Sequence, residues 1–361
     1  MKSRTVSSTD VAKLAGVSHA TVSYVLNKRT DRTISESTRQ RVLDAAQELK
    51  YRPNRLVNGV LRGKTSMIGL ITPWLQSPFH ASILNGIRDV LDEHGYHAFV
   101  TWGKMEPIEQ AREVEILLEH RVDGIIYVSE GNRLKGHAET WLYELLAEGT
   151  KCVVIDDRSL VGVVDCVVSD DIGGAMQAVA HLVELGHLRI AFHSTVWESS
   201  TYYDRLEGYK RGLAAAGIEF DPKLVFPVAE KPRDTAIQLH RFLSMDDRPT
   251  AFFVTNDIPA MILRHAAEDS GIRVPEDLAI VGYSDQDYSR YNHVSTISQN
   301  AHDLGVAAAQ ALLARLKDAD RPTGVVAIPT SLIVRNSTVA SCTTNRFDPV
   351  PAEAVAPFIG T

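Results

Sequence analysis

Residues 7–27 read SSTDVAKLAGVSHATVSYVLN, and this stretch decides the fold of the N-terminal part of the chain. Ser7, followed three residues later by Asp10, is typical of a helix N-cap. The next apolar residues recur at helical spacing and are expected to face a small core: Val11, Ala12, Leu14 and Ala15. Gly16 tolerates a positive φ and so permits a tight turn into a second helix. The pattern predicts a helix-turn-helix.

The second helix is predicted to run from its cap, Ser18, to about Asn27. Val22, Val25 and Leu26 form its buried face. Five side chains near its N-terminal end are then expected to be exposed: His19, Ala20, Thr21, Ser23 and Tyr24. In helix-turn-helix proteins this end of the second helix enters the major groove of DNA, so these side chains are candidates for DNA contact.

A third helix is predicted to begin after Ser35 and to end near Tyr51, because Pro53 disfavours helical backbone in the residue before it. Four of its residues are expected to point inward: Val42, Leu43, Ala46 and Leu49. Three short helices suffice for a small all-α domain, which we assign to residues 1–51.

The charge of the chain is strongly uneven, although its net value is only −7. Residues 1–64 hold 13 Lys and Arg against 5 Asp and Glu, while the remainder holds 25 against 40. A basic head, at +8, therefore precedes an acidic body, at −15. Phosphate contacts need Lys and Arg, and an acidic body limits non-specific adhesion to DNA, so this asymmetry favours a DNA-reading module joined to a domain with another task.

The bulk properties exclude several classes of protein. The chain has 361 residues, which is enough for two or three domains, and no apolar run approaches the roughly 18 residues that a membrane span needs. The N-terminus lacks the apolar segment of a signal peptide, so we expect a cytoplasmic protein rather than an exported solute-binding protein. Cys152, Cys166 and Cys342 are scattered and fit neither a disulfide framework nor a zinc site. Phosphate-binding and catalytic motifs are absent, and we expect no enzyme, cofactor or metal.

The body, from about residue 66 to 340, alternates short apolar runs with helical patterns. Six runs are suited to buried parallel strands: 67–71, 123–128, 152–155, 189–192, 251–254 and 278–282. One intervening helix is indicated by apolar residues between Ile172 and Val183, with Gly186 placed to end it. Repeated βαβ units predict doubly wound parallel sheets, and about 275 residues are enough for two of them.

A set of short segments in the head is specific enough to suggest a family. The set comprises DVA at 10–12, AGVS at 15–18, TVS at 21–23, VLN at 25–27, Ser35, Thr38-Arg39, Tyr51 and Pro53-Asn54. It resembles the LacI/GalR family of bacterial repressors, and the resemblance continues in weaker form to about residue 340. It implies a helix-turn-helix head, a hinge at 52–65, a body of two lobes like a periplasmic binding protein at 66–340, and a flexible tail at 341–361. It also implies a sequence-specific repressor that responds to a small molecule.

The resemblance assigns DNA contacts to individual residues of the head. His19, Ala20 and Tyr24 occupy the positions that read base edges, although Tyr24 offers one hydroxyl and Ala20 only a methyl contact to thymine. Ten residues match positions that contact the DNA backbone: Ser7, Thr9, Ser18, Thr21, Ser23, Asn27, Ser35, Thr38, Tyr51 and Asn54. Helix capping and turn formation remain alternative roles for several of them.

The hinge resembles a segment that folds on the operator and wedges an apolar side chain into the minor groove. The matching residue is Val60, and Leu61 follows directly, so either is a candidate for the wedge. Gly59 lies inside this short segment and costs about 1 kcal/mol relative to alanine in a helix. We therefore expect the hinge to fold only on DNA; a plain flexible linker is the alternative.

The resemblance also proposes residues that bind the effector between the two lobes: Phe79, Asp156, Arg205, Glu230, Asn256 and Ser284. An Arg fork with Asn and Asp suits a ligand with several hydroxyls or an anionic group, so a carbohydrate or related metabolite is the first expectation. Ser284 stands where sugar-binding relatives often have a carboxylate, and Glu230 where they often have an aromatic ring. These departures leave a modified or cationic effector open. For each residue alone, a structural role also remains open, and Asp257 is interpreted as structural.

The expected assembly is a homodimer on a pseudo-palindromic operator, because the tail contains no apolar heptads that would build a tetramer. Effector binding is expected to rotate the first lobe and separate the paired hinges. The lobes are expected to be discontinuous, at about 66–166 with 297–325 and about 167–296 with 326–340. The sequence leaves open whether the effector is an inducer or a corepressor, and whether some promoters are activated.

Overall fold

The computed structural model describes residues 6–26, 34–51, 64–103, 107–129, 140–194, 199–227, 237, 241–242 and 245–340. The chain forms two compact units, Met1–Thr65 and Ser66–Thr361. None of the described helices combines the length and the apolarity that crossing a bilayer requires.

The first unit, which we call the head, contains three helices: α1 (Ser8–Ala15), α2 (His19–Leu26) and α3 (Glu36–Glu48). The predicted N-cap of α1 is present as a reciprocal pair, since Ser7 Oγ accepts from the Asp10 backbone N–H and an Asp10 carboxylate oxygen accepts from the Ser7 N–H. Gly16 caps the C-terminus of α1 with a φ of 64°, which is the positive φ that the predicted turn needs. Ser35 caps α3 through the Thr38 N–H. These local signals build the predicted helix-turn-helix.

The prediction for the head core was wrong at two leucines. Leu14 is 47% exposed and Leu43 is 42% exposed. The buried stripe of α3 consists of Val42, Ala45 and Ala46, and a residue that follows Val42 directly lies about 100° around the helix from it. Small alanines let the three helices pack closely, so the larger leucines on the flanking faces remain outside.

The second unit, which we call the body, contains two six-stranded sheets. The first sheet has the strand order β11-β5-β4-β3-β1-β2 and is parallel throughout. Its strands are β1 (Met67–Thr72), β2 (His97–Trp102), β3 (Gly124–Val128), β4 (Lys151–Ile155), β5 (Asp165–Ser169) and β11 (Val325–Ile328). The helices that accompany it are α4 (Pro78–Glu93), α5 (Pro107–Glu119), α6 (Thr140–Ala147) and α11 (Ala301–Lys317).

The second sheet has the strand order β12-β10-β9-β8-β6-β7. Its strands are β6 (Ile190–Ser194), β7 (Val225–Pro227), β8 (Ala251–Val254), β9 (Ala279–Ser284), β10 (Ser295–Ser298) and β12 (Ser331–Ile333). Only β12 is antiparallel, to β10. Its helices are α7 (Asp171–Glu184), α8 (Ser200–Ala215), α9 (Asp257–Asp269) and α10 (Asp287–Tyr291), and short 3₁₀ turns lie at Arg158–Leu160 in the first lobe and Pro222–Leu224 in the second. Each sheet carries a separate apolar cluster on each face, so the body has two lobes, each with its own core.

The chain passes between the lobes three times, and the predicted discontinuity of each lobe is therefore present. The boundaries differ from the approximate predicted ones by two to five residues. β5 continues to Ser169 and β11 to Ile328 in the first sheet, while β10 reaches Ser298 in the second. The first lobe is thus 66–169 with 301–328, and the second is 171–298 with 331–340.

Hydrogen bonds fasten the three crossovers to one another. The Thr330 hydroxyl donates to the Asp170 carbonyl at 3.2 Å, which joins the third crossover to the first. The Asn300 amide donates to the Pro329 carbonyl at 2.8 Å, which joins the second crossover to the third. The three crossovers are therefore linked to one another by hydrogen bonds, and this linked group connects the two lobes.

In the first lobe, α4 and α11 cross so closely that the backbone of one helix contacts the backbone of the other. A Cβ at Gly305 would lie 2.0 Å from the Ile83 carbonyl oxygen, and one at Gly86 would lie 2.1 Å from the His302 carbonyl oxygen. The two glycines therefore allow the backbones of the two helices to approach each other at the crossing.

We predict that Gly305→Ala lowers the free energy of unfolding by about 2–4 kcal/mol, because the contacted atom is backbone and the helices must separate. Urea denaturation measures this change. Gln310→Ala, at an exposed position of the same helix, is the control and should change stability by less than about 0.5 kcal/mol. Equal stability of Gly305→Ala and wild type would contradict the close crossing.

Candidate functional site

The exposed N-terminal end of α2 forms the candidate DNA-reading surface of the head. His19 and Ala20 are exposed, and Tyr24 is half-buried beside them. The His19 Nε2 atom lies 2.7 Å from the Ser8 hydroxyl, which joins the start of α1 to the start of α2. The three residues proposed to read bases therefore lie on one helix, with two of them in the first turn.

Several hydroxyls proposed to contact DNA phosphates also cap helices. Ser18 Oγ accepts from the Thr21 backbone N–H at 3.1 Å and lies 2.9 Å from the Thr21 hydroxyl. Ser35 Oγ accepts from the Thr38 N–H and donates to the Thr38 hydroxyl at 2.9 Å. A hydroxyl that caps a helix by accepting from a backbone N–H still has its own proton, and where it gives that proton to a second hydroxyl, as Ser35 does to Thr38, the second hydroxyl has one. Such a proton can be donated to a phosphate oxygen, and a helix N-terminus favours an anion, so capping and phosphate contact are compatible.

The remaining head candidates divide into two groups. Thr9 is exposed, while Ser23 and Tyr51 are half-buried. Four candidates lie outside the residues that the structure describes: Asn27, Asn54, Val60 and Leu61.

In the body, the candidate effector residues lie where parallel strands end. Asp156 directly follows β4, Asn256 is the second residue after β8, and Ser284 is the last residue of β9. Carboxyl ends of parallel strands are the usual place for a ligand in open α/β sheets. Two of these residues have a positive φ, Asp156 at 60° and Ser284 at 117°, a conformation that L-residues rarely adopt and that occurs often at functional sites.

Arg205, on the first turns of α8, lies at the centre of a buried polar cluster. Its side chain donates to Asp171 at 3.1 Å and to the Asn256 amide oxygen at 3.0 Å. Its guanidinium also lies 4.1 Å from the centre of the Tyr283 ring. The structure thus brings two predicted residues, Arg205 and Asn256, into direct contact and adds Asp171 as the ion-pair partner.

A second chain of hydrogen bonds joins Asp156 to Ser284 across the two lobes. The Ser284 hydroxyl donates to Gln299 Oε1 at 3.0 Å, and the Gln299 amide donates to the Ser169 hydroxyl at 3.0 Å. The Ser169 backbone N–H and hydroxyl both donate to Asp156 Oδ1, at 3.0 and 3.3 Å. Gln299 belongs to the second crossover, so the chain passes directly beside the linked crossovers.

Phe79 and Ser284 line one cavity of about 530 Å³. Its wall is formed by the start of α4, the segment after β9 and the second crossover with the start of α11: Pro78, Phe79, Ala81, Ser82, Asn85, Ser284, Asp285, Gln286, Asp287, Ser298, Asn300, Ala301, His302 and Asp303. A volume of this size lies within the range of small-molecule sites. Glu230 lies outside the described residues.

Two further contacts join the lobes near Asp156. Arg158 and Asp204 form an ion pair at 2.7 Å between the 3₁₀ turn after β4 and helix α8. The Ser200 hydroxyl donates to the Asp156 carbonyl at 3.3 Å. Because both contacts cross from one lobe to the other, a change in the angle between the lobes must alter them.

Burial changes the ionisation of two carboxyl groups in this region. Desolvation raises the pKa of Asp156 to about 7, with repulsion from Asp171 acting in the same direction and the Ser169 hydrogen bonds and Arg205 opposing it. Desolvation raises the pKa of Asp257 to about 6. Asp257 is fully buried, accepting from the Thr296 hydroxyl at 2.6 Å and from the Gln286 N–H at 2.8 Å. These contacts fit the structural role expected for it.

In the described part of the chain, no three His, Cys, Asp or Glu side chains are grouped so that they could hold a metal ion.

Comparison with known proteins gives consistent matches over both units. Residues 9–54 match the family described as "Bacterial regulatory proteins, lacI family", and residues 179–338 match the "Periplasmic binding protein-like domain". The HTH-type transcriptional repressor PurR of Aliivibrio fischeri is 31% identical over 336 residues, covering 91% of this chain and 97% of the relative.

Two solved structures are similar over nearly the whole chain. The lac repressor dimer bound to operator and the anti-inducer ONPF has a TM-score of 0.80 and 29% identity, covering 93% of this chain and 99% of that one. The transcriptional regulator CelR in complex with cellobiose has a TM-score of 0.68 and 28% identity, covering 92% of this chain and 99% of that one.

A helix-turn-helix head joined to a two-lobed α/β body defines a class, the bacterial DNA-binding transcriptional regulators with a small-molecule-binding body. Within that class, the identity to curated relatives over nearly their full length identifies the family. The chain belongs to the LacI family.

The raised pKa of Asp156 predicts a specific pH dependence of stability. Between about pH 4 and pH 7 the folded protein keeps a proton on this carboxyl that the unfolded chain has released, so stability falls as the pH rises. Asp156→Asn removes this contribution. We expect the variant to gain about 1–3 kcal/mol relative to wild type on going from about pH 4 to about pH 8.

Thermal unfolding of both proteins across this pH range measures the difference. Asp92→Asn, at an exposed position on α4, is the control and should follow the wild type at every pH. A difference between Asp156→Asn and wild type that is independent of pH would refute the raised pKa.

Proposed function

We propose that this protein is a sequence-specific transcriptional repressor that binds a pseudo-palindromic operator as a homodimer and loses operator affinity when a small molecule binds between the lobes of its body. The observation that carries the proposal is the presence, in one LacI-family chain, of a helix-turn-helix with a polar reading face and of a cavity at the strand ends of a two-lobed body.

On the DNA side, α2 enters the major groove and presents His19, Ala20 and Tyr24 to base edges. The hydroxyl and amide groups at the starts of the helices and at the end of the head contact phosphates and set the register: Ser7, Thr9, Ser18, Thr21, Ser23, Asn27, Ser35, Thr38, Tyr51 and Asn54. Val60 or Leu61 of each hinge wedges into the minor groove at the centre of the operator.

On the effector side, the ligand is a carbohydrate or a related metabolite. The proposed contacts are Phe79, Asp156, Arg205, Glu230, Asn256 and Ser284. Arg205 and Asn256 form one polar surface, and the cavity beside Ser284 and Phe79 combines hydrogen-bonding groups with an aromatic face. The similarity to the CelR–cellobiose complex supports a sugar-like ligand.

The two sites communicate through the angle between the lobes. A ligand that contacts both lobes favours one angle, and the cross-lobe contacts Arg158–Asp204 and Ser200–Asp156 respond to that angle. Rotation of the first lobe moves the hinge that precedes β1 and separates it from the hinge of the other protomer. Coupling of this kind amounts to about 1–3 kcal/mol, or roughly 5- to 150-fold in operator affinity.

Selection of genomic DNA fragments by the purified full-length protein tests the proposal. The selection is repeated with a panel of sugars and related metabolites. Enrichment of one palindromic sequence that a compound abolishes is the expected result. Enrichment only in the presence of a compound would replace induction with corepression, and no enrichment at low or physiological salt would refute DNA reading.

Single substitutions should separate the two tasks. Tyr24→Ala removes a base contact and should weaken operator binding roughly tenfold while leaving effector binding unchanged. Arg205→Lys keeps the positive charge but loses the planar fork that holds Asp171 and Asn256, so it should weaken effector binding roughly tenfold and leave effector-free operator binding intact.

Fluorescence anisotropy on operator DNA and calorimetric titration with the effector measure the two affinities. Arg211→Ala, an exposed position on the same helix as Arg205, is the matched control for the body and should change neither affinity. Gln47→Ala, at an exposed position on α3, is the control for the head. A loss of operator affinity in both test variants would contradict the division of labour.

A further inference from the structure

The base-reading end of α2 is tied to the start of α1 by a hydrogen bond between two side chains. Ser8 is the first residue of α1, and His19 is the first residue of α2. The Ser8 Oγ atom and the His19 Nε2 atom are 2.7 Å apart, which is a normal hydrogen-bond distance. The bond therefore restricts the directions in which the His19 ring can point.

The position of Ser8 is itself held by the start of α1. Ser7, directly before it, forms the reciprocal cap with Asp10, in which one carboxylate oxygen accepts from the Ser7 N–H at 2.9 Å and from the Ser7 hydroxyl at 2.7 Å. The helices α1 and α2 also share one buried apolar cluster. Ser8 is half-buried and His19 is exposed, so the ring is held at one nitrogen while much of its surface remains accessible to DNA.

The Ser8 bond decides what the other ring nitrogen of His19 can do. Nδ1 makes no hydrogen bond to any residue that the structure describes. A neutral imidazole carries one proton, and the hydrogen bond of one nitrogen determines which nitrogen carries it. If Ser8 donates to Nε2, the proton lies on Nδ1, which is then a donor. If Nε2–H donates to Ser8, Nδ1 of the neutral ring is an acceptor.

The surroundings of Ser8 favour Ser8 as the donor. At the first residue of α1 the unpaired backbone N–H groups give the helix end a partial positive charge. A hydroxyl at such a place is more stable with its lone pairs towards the helix end and its proton pointing away. The acceptor that lies 2.7 Å away is His19 Nε2. The imidazole proton is therefore left on Nδ1.

A single N–H donor distinguishes the four bases in the major groove. Guanine presents two neighbouring acceptors, N7 and O6, without a donor, whereas adenine has a donor beside its N7. Thymine offers one acceptor beside a methyl group, and cytosine offers only a donor. Guanine is thus the best partner for the Nδ1–H group and cytosine the worst.

The other two candidate base readers do not provide this distinction. Ala20 has no hydrogen-bonding side chain, and the Tyr24 hydroxyl can both donate and accept. His19, with one nitrogen bonded to Ser8, is therefore the reading group with a fixed polarity. Holding the ring before DNA binds also removes part of the side-chain entropy cost of association.

We propose that Ser8 is a positioning residue for base recognition: its hydroxyl donates to His19 Nε2, keeps the imidazole proton on Nδ1, and so directs an N–H donor to one guanine in each half-site of the operator. This inference rests on the proposed function, because it adds a specificity-determining residue to the DNA-reading surface of the same head. Ser8 acts through His19 and does not itself contact the base.

Selection from a library of fully randomised DNA duplexes by the full-length protein tests the proposal, because it measures the base preference at every position without a known operator. We expect the wild type to prefer guanine over cytosine roughly tenfold at one position of each half-site, and His19→Ala to lose this preference. Ser8→Ala should reduce it to about twofold and leave the preferences at other positions unchanged. Ser8→Thr keeps the hydroxyl and should keep the full preference.

Two comparisons separate positioning from a general structural effect. In the His19→Ala background, Ser8→Ala should cause no further change at the same base position, because Ser8 acts only through the ring. Gln40→Ala removes another exposed side-chain hydrogen bond of the head, to Asp44 at 2.8 Å on α3, and should change no base preference.

Three outcomes overturn the proposal: Ser8→Ala keeps the full guanine preference, Ser8→Ala weakens the preferences at all positions equally, or the position that depends on His19 prefers a base other than guanine. Each of these leaves a sequence-specific head, and with it the repressor, intact. A wild-type protein that enriches no sequence at low or physiological salt would instead refute DNA reading, and the role of Ser8 with it.

Discussion

The group of three crossovers between the lobes is the constraint on which the rest of the body depends. Asp170, Asn300, Pro329 and Thr330 are joined by hydrogen bonds, so the strands that enter and leave the crossovers are fixed relative to one another. The ends of β5 and β10 lie at this group, and Ser169 and Gln299 beside it connect Asp156 to Ser284. A hydrogen-bonded junction of this kind is where rotation of one lobe against the other is expected to centre. A ligand in the cleft can bias such a rotation.

The head uses its few polar side chains for two purposes at once. Ser18 and Ser35 close helix N-termini, which a domain with such a small core needs for stability. The same helix ends carry the partial positive charge that favours a phosphate. Helix capping and phosphate contact therefore favour the same residue types at the same positions. For this reason the sequence motif of the head is short and specific.

The head and six of the eight interior strands were predictable from sequence because their signals are local; the interior strands β5 and β10 were missed. The caps at Ser7 and Ser35 and the turn at Gly16 depend on neighbours within four residues. The strands missed by the sequence analysis include those at the sheet edges: three of the four residues of β11 are exposed, and β7 has only three residues. β7 is too short for a pattern to show, and β11, although it reads VVAI, is an edge strand whose apolar side chains are largely exposed. Leu14 and Leu43 were misassigned because hydrophobicity alone does not show which face of a helix a small core will cover.

The polar cluster of the body was only partly predictable, because its members meet through the tertiary fold. Gln299 and Ser169 are 130 residues apart, and Asp171 and Arg205 are 34 apart on different helices. Positive φ at Asp156 and Ser284 was also invisible in the sequence. The resemblance to the family, rather than the residue types alone, proposed Asp156, Asn256 and Ser284. Each of them lies at the end of a buried strand or within two residues of it.

Asp156 and Asp257 show why burial and a raised pKa alone do not identify a functional carboxylate. Both have raised pKa values with desolvation as the main cause. Asp257 is fully buried, and hydrogen bonds reach both of its oxygens, Thr296 donating to one and the Gln286 N–H to the other. The bonds from Ser169 to Asp156 both end on Oδ1, and Asp156 holds a positive φ at a strand end, a conformation that costs energy. A carboxylate that is costly to bury and incompletely used by the fold is the better candidate for binding a ligand, and among these two that carboxylate is Asp156.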